Sequence, residues 1–334
     1  MFSGHRIVCY DAATVEDVQQ AQVVVAAFAN AREKRVGWEF HKSLLHRLGL
    51  GSSSVMGKVL VHIDDEYGAR RRQSEEDWSV YCGLYAGWKH VFRNYWSEAW
   101  AKMVPFSTGR MNCTALCPGS SRMDTRVEWM PLGWSNNWQP MRRDVQTSSR
   151  RSHFIGFYGN EKYQLRPNRA ALMARFERET GMKVNRILGK VGFGKGNLSH
   201  YFHLMQDTRM CLQISGLSAE CYRMYESLDA GCVPVVIDQF GQETDAQYRF
   251  LLGGRRRPPF PRGIAPLDVR AVLERLQHDD SALDAMQAET HSWWNRSLGH
   301  IRNRLLHVSW SWCGVGSAHV ARTMRGGLVR QHKR

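Results

Sequence analysis

The chain has 334 residues, of which 43% are hydrophobic and 23% charged. This composition suits a folded protein with room for two ordinary domains and excludes an intrinsically disordered one. No stretch reaches the roughly 20 apolar residues of a membrane-crossing helix, and the first residues lack signal-peptide architecture. A formal charge of +15 favours polyanionic partners such as nucleic acid, acidic glycan or anionic membrane. Its local clusters at 70–72, 142–143, 150–151, 255–257 and 325–334 are for the most part better read as a solvated basic surface.

In chain order, the Ala/Val-rich residues 18–35 predict a helix, and 42–50 a short amphipathic stretch. The Gly/Ser loop at 51–57 leads into an apolar, β-branched strand over 58–63. Ser74, followed by Glu75, Glu76 and Asp77, resembles a capping box and begins a helix reaching Gly87. Strands follow at 90–95 and 126–130, so the first half reads as a Rossmann-like half-sheet. The polar residues 135–152 form the predicted linker.

The second half opens with a strand over 153–158 and a helix over 168–180, ended by Gly181, before a strand over 182–188. Residues 189–196, GKVGFGKG, read as a flexible loop: no Lys-Ser/Thr pair follows the glycines, so this is not a Walker motif. A short helix over 199–206 leads to a strand over 210–215. Gly216 and Ser218 suit a tight loop and a helix N-cap, 219–230 is helical, and Gly231 stops the helix. The β-branched run 233–237 predicts a parallel strand covered on both faces, ending in Asp238 at a carboxyl edge. Residues 240–266 are loop-rich, 268–278 and 281–306 are closing helices, the second packing back on the first domain, and 325–334 form a disordered basic tail.

On the helix over 219–230, Cys221, Met224, Tyr225 and Leu228 form an apolar stripe, while Arg223 and Glu226, three apart, share another face. One reading gives Arg223 a diphosphate and Glu226 the ribose hydroxyls of a sugar nucleotide; the other makes them a surface ion pair on an ordinary crossover. The eight cysteines are scattered and lack zinc-site spacing, and Cys221 and Cys232 read as small buried side chains rather than a disulfide. Asn112, Asn197 and Asn295 begin triplets that fit glycosylation acceptors but also arise by chance.

The segment ECYRMYESLDAGCVPVVID (220–238) resembles the signature of exostosin-like glycosyltransferases, in which an Arg and a Glu three apart precede a Gly-Cys-x-Pro-Val turn into a buried strand. With SGLSAECYRMYE, and with VHIDDE (61–66), VFRNYW (91–96) and VEWMPLGW (127–134) upstream, the chain is most similar to the ribitol xylosyltransferase branch. The resemblance implies an α/β, GT-B-type fold of two Rossmann-like domains facing across a cleft. The expected division is an acceptor-side domain over 1–145 and a nucleotide-sugar domain over 151–324. It further implies a UDP-sugar donor, xylose the first guess, a glycan or polyol-phosphate acceptor, and inverting transfer with no obligatory metal or other cofactor. Relatives of this kind work in the Golgi lumen behind an N-terminal anchor; no anchor is visible here, and the cytoplasm is the alternative.

An inverting transferase needs a base for the acceptor hydroxyl. Asp65 and Glu66, with Asp64, end the strongest first-half strand, and their crowding could raise one carboxylate pKa; the competing reading has them cap a helix or pair with Arg70–Arg72. His62 is a weaker choice, since strand alternation can turn it away. Arg93 and Asn94 end a neighbouring strand and could hold the acceptor or the donor phosphate, with Tyr95 and Trp96 beside them for stacking on a sugar. Donor-side residues are Arg223, Glu226, Ser218 and Glu220. With no DxD triplet, Arg223, the helix dipole and nearby Lys or Arg must stabilise the leaving group. The alternatives are another donor, such as UDP-glucuronate, UDP-galactose or a GDP-sugar, or a degenerate polyanion- or glycan-binding protein of the same fold. A specific nucleic-acid partner is not expected: no helix-turn-helix, zinc finger or aromatic platform is visible.

Overall fold

A computed structural model describes residues 23–27, 58–63, 81, 82, 85, 88–94, 125–131, 133, 145–159, 169–188, 198–214, 221–237 and 258–310. Nine strands form two parallel sheets among these residues. The first has the order β1 (Val23–Ala27), β2 (Val59–Ile63), β3 (His90–Arg93), β4 (Arg126–Trp129). The second comprises β5 (His153–Gly159), β6 (Asn185–Leu188), β7 (Thr208–Ile214), β8 (Val233–Ile237) and β9 (Arg262–Gly263), in the order β6-β5-β7-β8-β9. Five helices accompany the second sheet: α1 (Arg169–Thr180), α2 (Leu198–Gln206), α3 (Tyr222–Asp229), α4 (Leu267–His278) and α5 (Asp280–Trp310). No helix among the described residues is long and apolar enough to cross a membrane.

Most of these elements follow from the sequence pattern, and four expectations are corrected. The residues predicted as a helix over 18–35 contain β1, whose Val-Val-Val run pairs in parallel with β2 from Val23 opposite Val59 to Ala27 opposite Ile63. The β-branched Val run and backbone pairing with a strong neighbouring strand override the helical propensity of Ala. A two-residue strand, β9, lies within the stretch read as loop, because the β8 edge is still open there and Val236 N–H donates to Pro261 O at 2.9 Å. The N-cap of α3 is Cys221 rather than Ser218, with an extended backbone (φ −150°, ψ 158°) and no side-chain cap bond; Ser218 itself lies outside the described residues. Cys232 is disulfide-bonded to Cys211, joining the start of β8 to its neighbour β7, whereas Cys221 is a free thiol.

The described end of the expected linker is firmly bonded. Ser148 N–H donates to Gln287 Oε1 on α5 at 2.8 Å, and Ser149 bonds Asp284 through both its N–H and its hydroxyl. Arg151, 1% exposed, donates to the carbonyls of Gln146, Thr208 and Ala230 and so gathers the amino end of the second sheet. Burial lowers its pKa to about 10, which leaves it charged at neutral pH.

Strand alternation divides the second sheet's side chains between its two faces. Ile155, Phe157, Met210, Leu212 and Ile214 join the main core with α1, α4 and the indoles of Trp293 and Trp294. Tyr158 and Cys211 face Tyr201 and Met205 of α2. The main cluster also contains Leu60, Tyr81, Tyr85, Val91, Val127 and Trp129 of the first-sheet region, so apolar packing is continuous between the two sheets. As expected, α5 also returns to the first sheet: Arg304 makes a two-pronged bond to Glu128 of β4, with Nε to Oε2 at 3.0 Å.

Candidate functional site

The carboxyl ends of β5 and β7 and the beginning of α3 meet at one rim of the second sheet, where open parallel sheets bind ligands. Arg223 and Glu226 lie there on the first turns of α3, 7% and 3% exposed. They are not a surface ion pair. Arg223 Nη1 donates to Tyr158 O at 3.1 Å, Nη2 reaches Cys221 Sγ at 3.7 Å, and the guanidinium carbon lies 4.4 Å from the centre of the Phe157 ring. Its Nε makes no hydrogen bond among the described residues. Gly159 makes this placement possible: a Cβ there would occupy the space of Nη1.

Glu226 is held from the other side. Tyr201 Oη donates to Glu226 Oε2 at 2.6 Å, and burial pushes the Tyr201 hydroxyl pKa well up, with the nearby Glu226 charge adding to the effect. Tyr201 packs edge-on against Tyr158, centroids 6.5 Å apart, and the Tyr158 hydroxyl is bonded to Thr208 Oγ1. Arg223, Glu226, Tyr201 and Tyr158 therefore form a closed circuit through β5, α2 and α3.

Beneath it, Gln213 of β7 donates to Ser227 Oγ at 2.9 Å, and Ser227 Oγ donates to Arg223 O at 2.6 Å. Gln213 Oε1 accepts from the Cys221 thiol at 3.6 Å. These bonds fix α3 to the strand before it. Gly231, at φ +70°, ends the helix and turns the chain into β8.

At the carboxyl end of the first sheet, His62 and Arg93 are completely buried. His62 Nδ1 is 2.6 Å from Tyr85 Oη, and Arg93 Nη1 donates to the same oxygen at 3.1 Å. Arg93 Nε donates to Asn94 O at 3.2 Å, and the guanidinium carbon lies 5.2 Å from the centre of the Tyr81 ring. Arg93 and Asn94 are thus buried at the end of the first sheet. The proposed base residues Asp64, Asp65 and Glu66, the aromatic pair Tyr95 and Trp96, and Ser218, Glu220 and Asp238 lie outside the described residues.

Glu128 of β4 sits in a second charged cluster, with Arg304, Arg126 Nε at 2.9 Å and His90 Nε2 at 3.5 Å. Burial works to raise the Glu128 pKa, but the nearby His90 ring and the hydrogen-bonded Arg304 outweigh it and hold the carboxyl at about 2. His90 is shifted down, chiefly by burial. A separate open cavity of about 570 Å³, walled by His153, Glu177, Lys183 and Arg186, lies at the amino ends of β5 and β6, the opposite end from Arg223.

Sequence reasoning named Arg223 and Glu226 but not Gly159, Tyr201, Gln213 or Tyr85. Gly159 carried the one available signal, a glycine closing an apolar strand. Tyr201, on another helix, carried none.

The two parallel sheets with their helices form a GT-B-type α/β fold. An alpha-glucosyltransferase (AGT) solved in complex with UDP superposes with a TM-score of 0.51 at 12% identity, over 90% of this chain and 84% of that one. Weaker similarities are to an alpha-glucosyltransferase in complex with UDP-glucose and DNA containing an abasic site (TM-score 0.48, 10% identity, 90% and 83% covered). Another is to CalG4, the calicheamicin glycosyltransferase (TM-score 0.35, 12% identity, 91% and 78% covered). Residues 138–252, less than half of the chain, match the family model of the RXYLT1 C-terminal domain, and this segment contains the whole Arg223/Glu226 circuit. No curated protein sequence matches the chain.

Proposed function

We propose that this chain is a glycosyltransferase that moves a sugar from a UDP-sugar to a hydroxyl of a glycan or polyol-phosphate acceptor, with inversion and without an obligatory metal. Xylose is the first donor to test. The observation that carries the reading is the buried Arg223/Glu226 pair at the carboxyl rim, Arg223 bonded to the Tyr158 carbonyl and Glu226 to the Tyr201 hydroxyl. Two buried side chains of opposite charge, each hydrogen-bonded to a different element at a carboxyl rim, fit a ligand site better than the surface ion pair of an ordinary crossover. They offer a cation to a diphosphate and an acceptor to sugar hydroxyls. The likeness of residues 138–252 to the RXYLT1 C-terminal domain and the UDP bound by the similarly folded AGT both support a uridine diphosphate donor.

In this reading 1–145 supplies the acceptor side and 151–324 the donor side. A carboxylate among Asp64, Asp65 and Glu66 takes the acceptor proton, and Ser218 and Glu220 border the donor. We further propose that the chain works in the Golgi lumen. The Cys211–Cys232 disulfide supports an oxidising compartment.

The test is calorimetric titration with UDP, GDP, UDP-xylose, UDP-glucuronate and UDP-galactose, with and without EDTA, on the wild type and on Glu226→Ala. Selective binding of one UDP-sugar that survives EDTA and is lost in the variant is expected. No binding to any of them would point to a degenerate binding protein, and a requirement for metal would overturn the metal-independent mechanism.

A further inference from the structure

We infer that Tyr201 is a positioning residue for nucleotide recognition: by donating its hydroxyl to Glu226 Oε2 it fixes the carboxylate that reads the ribose hydroxyls. This rests on the donor-site reading above and deepens it by naming the residue that sets ribose selectivity. A glutamate on a helix has three rotatable side-chain bonds, and a diol is read well only by a carboxylate held in one orientation. The 2.6 Å bond supplies that restraint, at a length typical of a charge-assisted hydrogen bond. It uses one of about four lone-pair positions on the carboxylate.

Tyr201 is itself rigidly mounted. It is 5% exposed, belongs to the packed cluster of Tyr158, Met205, Cys211 and Cys232, and lies edge-on to Tyr158. The carbonyl of that same Tyr158 holds Arg223 Nη1, so one β5 residue sets the positions of both charged groups. Because burial keeps the Tyr201 hydroxyl protonated, it remains the donor throughout the neutral range.

Tyr201→Phe deletes one oxygen and keeps the ring. The experiment compares the Kd values of UDP, 2′-deoxy-UDP and 3′-deoxy-UDP for the wild type, Tyr201→Phe, Glu226→Gln and the double variant. Tyr201→Phe is expected to weaken UDP about tenfold and the deoxy analogues little, so that the preference for the intact ribose collapses. An unchanged preference, or equal weakening for all three nucleotides, would overturn the proposal.

Should Tyr201→Phe fold poorly because the buried carboxylate has lost a partner, the double variant, which lacks that charge, decides the matter. Adding Phe to the Gln background should leave the UDP Kd unchanged, whereas a further tenfold loss would mean that Tyr201 acts independently of Glu226. If Glu226→Gln alone binds all three nucleotides as the wild type does, the donor-site reading falls, and the proposal with it. That result is distinct from a Glu226 effect with no Tyr201 effect, which would sink only the proposal.

Discussion

Gly159 shows how a single hydrogen in place of a side chain can set the chemistry of a site. Its missing Cβ is the space into which Arg223 extends, so a side chain there would displace the guanidinium from its place at the carbonyl of Tyr158 and the face of Phe157. Gly159→Ala is expected to cost about 1 kcal/mol of stability or less, because the atom it meets is the movable tip of Arg223. It should also weaken UDP binding by roughly tenfold or more, the worth of a charge-assisted hydrogen bond. Denaturant unfolding and calorimetry on one sample would separate the two effects, and a folded Ala variant with wild-type UDP affinity would show that Arg223 does not need this position to bind the nucleotide. Tyr201 and Glu226 teach a similar lesson. The glutamate was legible from its spacing to Arg223, but the tyrosine, 25 residues earlier, was not, because only folding brings α2 beside α3.

At the level of elements, the unit from β7 through α3 to β8 is secured at both ends. Its rim end is fixed by Gln213, Ser227 and Cys221, and its opposite end by Gly231, by the Cys211–Cys232 disulfide and by Arg151 on the Ala230 carbonyl. The bond closes a loop with a sequence separation of 21, and removing it by Cys232→Ser should cost about 2–4 kcal/mol. Blocking thiols under denaturing conditions, in protein isolated from its own cells, tests the lumenal assignment. Cys211 and Cys232 should resist alkylation until reductant is added, and reactive thiols at both positions would overturn the oxidising compartment. The strands β2 to β8 and the helices α1 to α5 were readable because their apolar periodicity is local. β1 and β9 were not: each is a short run whose state is decided by a neighbouring strand with unsatisfied backbone groups.

The whole molecule is tied together by α5. Its 31 residues extend for about 46 Å, from Asp284 and Gln287 on the Ser148–Arg150 turn to Arg304 on Glu128 of the first sheet. The Glu128 carboxyl lies below its ordinary value in the folded chain, at about 2, so its contribution is complete above about pH 4.5 and is lost as the pH falls through 2. With the site 6% exposed, that contribution is roughly 3 kcal/mol. The neighbouring His90, lowered by burial, acts in the same direction, because the unfolded chain takes up its proton first. Glu128→Gln should therefore be less stable than the wild type at pH 7 and lose much of the acid-sensitive limb, as read by urea unfolding between pH 7 and pH 2. Identical limbs in the two proteins would show that the α5 anchor contributes nothing to the fold's acid sensitivity.

The sequence by itself determined the class of the fold and the two charged residues of the candidate donor site. Period-two and period-three-to-four patterns, turn glycines and the Arg-x-x-Glu spacing are properties of adjacent residues. Only the tertiary structure decided that Arg223 and Glu226 are buried, that the Tyr158 carbonyl and the Tyr201 hydroxyl hold them, that Cys211 pairs with Cys232, and that α5 closes on Glu128. Each of these depends on the meeting of segments distant in the chain, and local pattern carries no information about which segments will meet.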